Sequence, residues 1–205
     1  MEKIIHYYDL GLYSGGEVEM FIDICTRNNW DYRVYGVEAH PEYAQEVHDR
    51  YVNNSKVNIF NYAISENIEK IKLYLAHGNG GQGNSIFRTK NNVSDTHYEV
   101  QGIPFSTMLE NYPDFNKQFN ILRFNIEGAE WYMMNDLINN NLHKNFNIIC
   151  GAGTDIHKVG ELKPYLNQYN KLLEDNDIKV YRFCDISPEK NHDIENLIQT
   201  QLNNI

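Results

Sequence analysis

Four short segments follow one another along this 205-residue chain, each placed where an apolar run gives way to a polar or glycine-bearing turn. They are Tyr8-Asp9-Leu10-Gly11-Leu12-Tyr13-Ser14-Gly15-Gly16, Tyr35-Gly36-Val37-Glu38, Asn61-Tyr62-Ala63-Ile64-Ser65 and Leu122-Arg123-Phe124-Asn125-Ile126-Glu127-Gly128-Ala129-Glu130. Such junctions read as the carboxyl ends of strands in an open α/β sheet, the edge at which these sheets bind ligands. In the first segment Gly11 and Gly15 let the backbone pass close to a ligand before a helix begins near Glu17. In the second, Glu38 arrives at a strand tip, from which a carboxylate accepts hydrogen bonds from ribose hydroxyls. A strand-end acid can also be merely solvated, but the Ala39-His40-Pro41 turn gives this one little other employment.

The first turn is a poor match to a dinucleotide site. Aligning Gly11 and Gly16 with the outer glycines of that fingerprint puts Tyr13 where a glycine must admit the pyrophosphate. Glu17 then falls in the first helical turn, where its carboxylate competes with a phosphate for the amides and the positive dipole end. A cofactor without phosphates fits better. S-adenosylmethionine carries a sulfonium and an ammonium, so a mouth holding Asp9, Glu17 and Glu38 suits its charge. An ordinary structural βα turn remains the alternative for this segment taken alone.

Together, Asp9-x-Gly11-x-x-x-Gly15, Val37-Glu38-x-x-Pro41, Asn61-x-Ala63-Ile64-Ser65 and Leu122-Arg123-x-Asn125-x-Glu127-Gly128-Ala129-Glu130 resemble the FkbM family of S-adenosylmethionine-dependent methyltransferases. The likeness runs from about residue 4 to residue 140 in the family's order. It implies methyl transfer, most often to a hydroxyl oxygen, on a seven-stranded Rossmann-like α/β fold with a mostly parallel sheet flanked by helices. It also implies that Asp9, Gly11 and Gly15 line the methionine end of the cofactor, that Glu38 holds the ribose, and that Ala63 and Ile64 flank the adenine. Tyr13, Ser14, Ala39 and Asn125 complete the expected cofactor-binding set. Two departures stand out: Asn125 where the family usually has aspartate, and Tyr13 where it usually has asparagine.

Transfer to an alcohol requires in-line alignment of the acceptor and removal of its proton. The base is expected near the carboxyl ends of the fourth and fifth strands. His157, Asp155 and Glu127 are the candidate catalytic residues, with His97 as an outsider. Asp155 could orient the His157 imidazole after the glycines of Gly151-Ala152-Gly153, although a loop histidine is more often solvated. Glu127 and Glu130 could equally be acids placed in a helix's first turn by the dipole. No metal is expected, since neutral Asn125 leaves a hard cation too few carboxylates.

Elements that would position these residues follow from apolar spacing. Val18, Phe21, Ile22 and Cys25 mark one helix, and Tyr43, Ala44, Val47 and Tyr51 a second. Strands are expected at Ile4 to Tyr8, Tyr32 to Val37, Phe119 to Ile126, Phe146 to Cys150 and Lys179 to Phe183. Helices are expected at Glu127 to Asn140, around Leu162 to Leu173, and at the tail through Ile194, Leu197, Ile198 and Leu202. Alternating strand and helix implies parallel pairing. His77 to His97, with its run of glycines and asparagines, reads as one long connection, either a binding lid or a plain excursion.

Composition bounds the rest. A 24.1 kDa chain with 41% hydrophobic and 22% charged residues is expected to be a single soluble domain spanning residues 1–205. Starting its first strand almost at Met1, it is also compatible with a domain excised from a longer enzyme. A net charge of −10 opposes a polyphosphate backbone, so nucleic acid is not an expected partner. No apolar run suits a membrane span and no signal peptide precedes the first strand, so a cytoplasmic location is expected. Cys25, Cys150 and Cys184 are too widely spaced for a zinc site and read as reduced thiols. The expected acceptor is a sugar or glycan hydroxyl. A non-sugar natural-product alcohol, or a module that binds the nucleoside without catalysis, are the alternatives, and oligomeric state is left open.

Overall fold

Strand β1 (Ile5–Leu10) is buried along its whole length. It runs parallel to β2 (Tyr32–Val37) on one side and β7 (Phe119–Phe124) on the other. Strands covered on both faces are mostly apolar, and the polar side chains these carry, such as His6, Asp9, Asn120 and Arg123, are buried with them. The computed structural model describes residues 4–78, 82–112, 115–153, 155–181 and 191–203, without the side chains of 191–193. Among these, the central sheet has six strands in the order β3-β2-β1-β7-β8-β9, all paired in parallel. The outer members are β3 (Val57–Phe60), β8 (Ile148–Gly151) and β9 (Val180–Tyr181). The chain winds outward from β1 to β3 and then returns beside β1 at β7. The strand order therefore reverses between β1 and β7, and a crevice opens there at the carboxyl ends.

Two apolar layers cover the sheet. On one side, α1 (Gly16–Arg27) contributes Val18, Phe21, Ile24 and Cys25, and the terminal helix α6 (Asn191–Asn203) contributes Ile194 and Ile198. Glu195 of α6 accepts hydrogen bonds from Arg27 at 2.9 Å and Asn28 at 2.6 Å, which pins the tail to α1. On the other side lie α3 (Phe105–Leu109), α4 (Glu130–Asn139) and α5 (Leu166–Asp175), with Met133, Met134, Leu137 and Tyr169 fully buried. Helix α2 (Pro41–Tyr51) starts with Pro41 at its first turn, as that residue's fixed φ favours. Cys25 and Cys150 are buried free thiols, and burial pushes the Cys25 thiol up to about 12. Among the described residues no helix is long and apolar enough to cross a membrane.

Several expectations are corrected. The connection expected from His77 to His97 runs only as far as Asn92, because β6 (Val93–Ile103) begins there and pairs antiparallel with β5 (Glu69–Ala76), while β4 (Ala63–Ile64) joins them in a second, three-stranded sheet. His97 therefore stands in a strand opposite Tyr74. Helix α4 begins at Glu130 rather than Glu127, since Glu127 and Gly128 have φ values of 56° and 110° and cannot belong to a right-handed turn. The β8 strand starts only after a 3-10 turn at His143–Asn145, and another such turn at Lys163–Tyr165 precedes α5. Of the expected residues, Asn79, Gly80, Gly81, Thr154, Phe183 and Cys184 lie outside the described ones.

Candidate active site

A cavity of about 340 Å³ opens at the crevice, bounded by the ends of β1, β2, β7 and β8 and by residues 82–86 that follow β5. That volume is within the range of small-molecule sites. Of the expected cofactor set, Gly11, Tyr13, Glu38, Ala39, Ala63, Ile64 and Asn125 line it. Asp9, Ser14 and Gly15 do not. Gly11 is in the left-handed region at φ 87°, and a Cβ there would come within 2.2 Å of the Asn125 carbonyl oxygen. Its role is the close approach of the β1 and β7 ends. Gly15, at φ 75°, caps α1 and faces Val47 of α2, while the Ser14 carbonyl accepts a hydrogen bond from Arg50.

Asp9 lies behind the cavity wall in a buried ion pair. It is fully buried, stands opposite Arg123 across the β1–β7 register, and accepts a 2.9 Å hydrogen bond from Nη1. The same guanidinium donates to the Gly11 carbonyl at 2.8 Å and to Glu17 Oε1 at 2.5 Å. Burial pushes the Asp9 carboxyl upward against the pull of Arg123. Arg123 and Glu17 both line the cavity. Sequence reasoning gave Arg123 no role, yet a charged residue inside an otherwise apolar strand signals a buried partner on a neighbouring one.

Glu38 is held at the wall by the backbone. Oε2 accepts from the Tyr13 amide at 2.8 Å and Oε1 from the His40 amide at 2.7 Å. Burial raises its pKa, and these amide hydrogen bonds pull the other way. Asn61 donates to the Glu38 carbonyl at 2.9 Å, which ties the third motif to the second. Tyr13, at φ 50°, meets the Tyr43 ring edge-on, and His40 stacks on Tyr43 at 4.2 Å.

The three candidate bases separate. Glu127 lines the cavity. Its carbonyl accepts from Ser85 Oγ at 2.8 Å, and its carboxylate pairs with Lys90 Nζ at 3.0 Å. Lys90, with a side chain only 1% exposed, also donates to the Gly83 carbonyl at 2.8 Å and to Asn92 Oδ1. Nothing in the sequence marked this lysine. Asp155 and His157 do not line the cavity: they fall in a 3-10 turn at Asp155–Lys158, where Asp155 pairs with Lys158 at 2.8 Å and His157 is exposed. Glu130 is buried beneath the turn and accepts from the Gly128 amide at 2.8 Å. Among the described residues no group of three or more His, Cys, Asp or Glu side chains is placed to hold a metal.

A family model described as the methyltransferase FkbM domain matches residues 9–198. Among solved structures, the crystal structure of methyltransferase FkbM from Methylobacillus flagellatus aligns with a TM-score of 0.47 and 12% identity, covering 84% of this chain and 37% of that one. The present chain thus spans little more than a third of that protein's length. Among curated proteins, none matches.

Proposed function

The chain belongs to the FkbM methyltransferase domain family, and from that premise we propose that it transfers the methyl group of S-adenosylmethionine to a hydroxyl of a sugar or glycan. The observation that carries the cofactor reading is Glu38 at the tip of β2, a cavity-lining carboxylate fixed by two backbone amides. Each of its oxygens keeps acceptor capacity for the ribose hydroxyls. The remaining wall fits the same ligand. Ala63 and Ile64 supply apolar surface for the adenine, and Glu17 adds negative charge suited to a cationic ligand. Tyr13 narrows the turn where a pyrophosphate would need open backbone.

When bound, S-adenosylmethionine supplies an activated methyl group; the chain's own residues do the rest. Glu127 accepts the proton of the acceptor hydroxyl as general base. Lys90 and Ser85 hold Glu127 in place from the segment that also lines the cavity at 82–86. That segment excludes water from the reacting groups. The net charge of −10 favours a neutral acceptor over a polyphosphate one.

Incubation with a trideuteromethyl-labelled cofactor and a panel of oligosaccharides, followed by mass spectrometry, tests the reading. Labelled methyl on a sugar hydroxyl is the expected result. Label only on non-sugar alcohols would replace the acceptor class. Binding without transfer to any acceptor would favour a non-catalytic module.

A further inference from the structure

Asn84 is a half-buried residue of the cavity wall, and both of its chain neighbours are tied to Glu127. Ser85 Oγ donates to the Glu127 carbonyl at 2.8 Å, and the Gly83 carbonyl accepts from Lys90 Nζ, which also pairs with the Glu127 carboxylate. The Asn84 side chain is itself anchored, since Oδ1 accepts from the Ala76 amide at 2.9 Å. A backbone N–H can only donate, so this bond fixes which end of the carboxamide is oxygen. Nδ2 then keeps two N–H groups, without an acceptor among the described residues. Asn125 adds a second carboxamide to the wall, and its side chain likewise has no partner among the described residues. Charge narrows the ligand further. Among the described residues of the wall Glu17, Glu38 and Glu127 are acids, and the one cation, Arg123, is already engaged by Asp9 and Glu17. Lys90 Nζ gives its three N–H groups to Gly83, Asn92 and Glu127. The surroundings of Glu127 thus offer neutral carboxamides and no uncommitted ammonium for a carboxylate or phosphate.

We propose that Asn84 is a specificity-determining residue for the acceptor: Nδ2 donates to the hydroxyl beside the one that Glu127 deprotonates, so the substrate class is a neutral sugar bearing a vicinal diol. This rests on the reading above, in which Glu127 is the base for transfer to a sugar hydroxyl, and deepens it. Hydroxyls on neighbouring ring carbons can be met by two groups of one wall, a carboxylate for the first and an amide N–H for the second. The second contact sets the orientation of the ring, which in-line transfer requires. A site built to hydrogen-bond a substrate hydroxyl also rejects an analogue lacking it, because the protein's own donor is left unpaired. An isolated alcohol would leave Nδ2 in that state.

Initial rates of trideuteromethyl transfer to neutral methyl glycosides, their monodeoxy derivatives and the matching uronic acids decide the matter, with mass spectrometry locating the hydroxyl methylated. For the wild-type protein, removing the hydroxyl beside that position is expected to lower kcat/KM by about tenfold without abolishing transfer, the scale of one hydrogen bond whose donor is left unpaired. Uronic acids should be poorer acceptors than the neutral glycosides. Asn84→Ala should lose about the same factor on the parent glycoside and no longer distinguish it from the deoxy derivative, with calorimetric affinity for S-adenosylhomocysteine unchanged. A merely structural asparagine would slow both acceptors alike and preserve the factor between them. Equal wild-type kcat/KM for the parent glycoside and its neighbouring-deoxy derivative overturns the proposal whether or not the variant folds, and leaves sugar methylation standing. Retention of the factor in Asn84→Ala, or a preference for uronic acids, overturns it as well. Absence of transfer to any glycoside removes the acceptor reading itself, and this proposal with it.

Discussion

Glu130 offers a quantitative test of the buried turn under the site. Its carboxyl is completely buried, with Oε2 on the Gly128 amide at 2.8 Å and Oε1 without a hydrogen-bond partner among the described residues. Burial, helped by the negative charges of Asp155 and Glu127, pushes it from 4.5 up to about 8. The folded protein therefore keeps a proton that the unfolded chain releases near its ordinary value. Stability from this group is complete below that lower value and is lost as pH rises through the upper one. Between pH 5 and pH 8 the loss integrates to about 3–4 kcal/mol, or roughly 10 °C in melting temperature for a chain of this size. Glu130→Gln keeps the acceptor for Gly128 but cannot ionise. Asp9 is raised by burial too and tilts both proteins in the same sense, so the difference between wild type and Glu130→Gln isolates residue 130. Urea unfolding at several pH values measures it. The variant should gain on the wild type steadily as pH rises, whereas parallel curves over that range would refute the claim that burial keeps Glu130 protonated.

Glu38→Ala should weaken S-adenosylhomocysteine binding by about 1.5–3 kcal/mol, the worth of hydrogen bonds to a charged group; unchanged calorimetric affinity, or tight binding of NAD, would sink the ribose assignment. Glu127→Gln should lower turnover by about 10²–10⁴ with cofactor affinity nearly intact, while His157→Ala, which lies off the cavity, should keep it; the reverse pattern would move the base to the Asp155–Lys158 turn. Methyl transfer on a panel of deoxysugar glycosides should be lost only when the accepting hydroxyl is missing and should be indifferent to EDTA. Activity abolished by the chelator and restored by magnesium would overturn the metal-free mechanism.

The strands that build the crevice were legible because of where they lie. In β1, β2 and β7, burial on both faces forces near-continuous apolar runs, and the residues just beyond them carry the motifs. The second sheet was hidden for the opposite reason. Most of β6 from Ser94 to Glu99 is exposed or half-exposed, so its Ser-Asp-Thr-His-Tyr-Glu sequence resembles a polar loop, and only the pairing with β5 reveals it. Glu127 reads as helical in the sequence because its residue type does not announce a positive φ; the turn is held by Ser85, Lys90 and Glu130, two of them distant in sequence.

The same distinction explains the site. Glycines after β8 correctly mark a place where the chain turns, but a turn does not say which way its side chains face, and Asp155 is engaged by Lys158. The acids of the first motif divide along similar lines. Asp9, Glu17 and Glu38 look equivalent as charges in a sequence, yet Asp9 points into an ion pair whose partner lies 114 residues away. A carboxylate already paired in the core is a poor ligand for a second cation, because leaving Arg123 would strand a buried guanidinium. Of the three acids, Glu17 and Glu38 line the cavity, whereas Asp9 is spent on Arg123 from the core side.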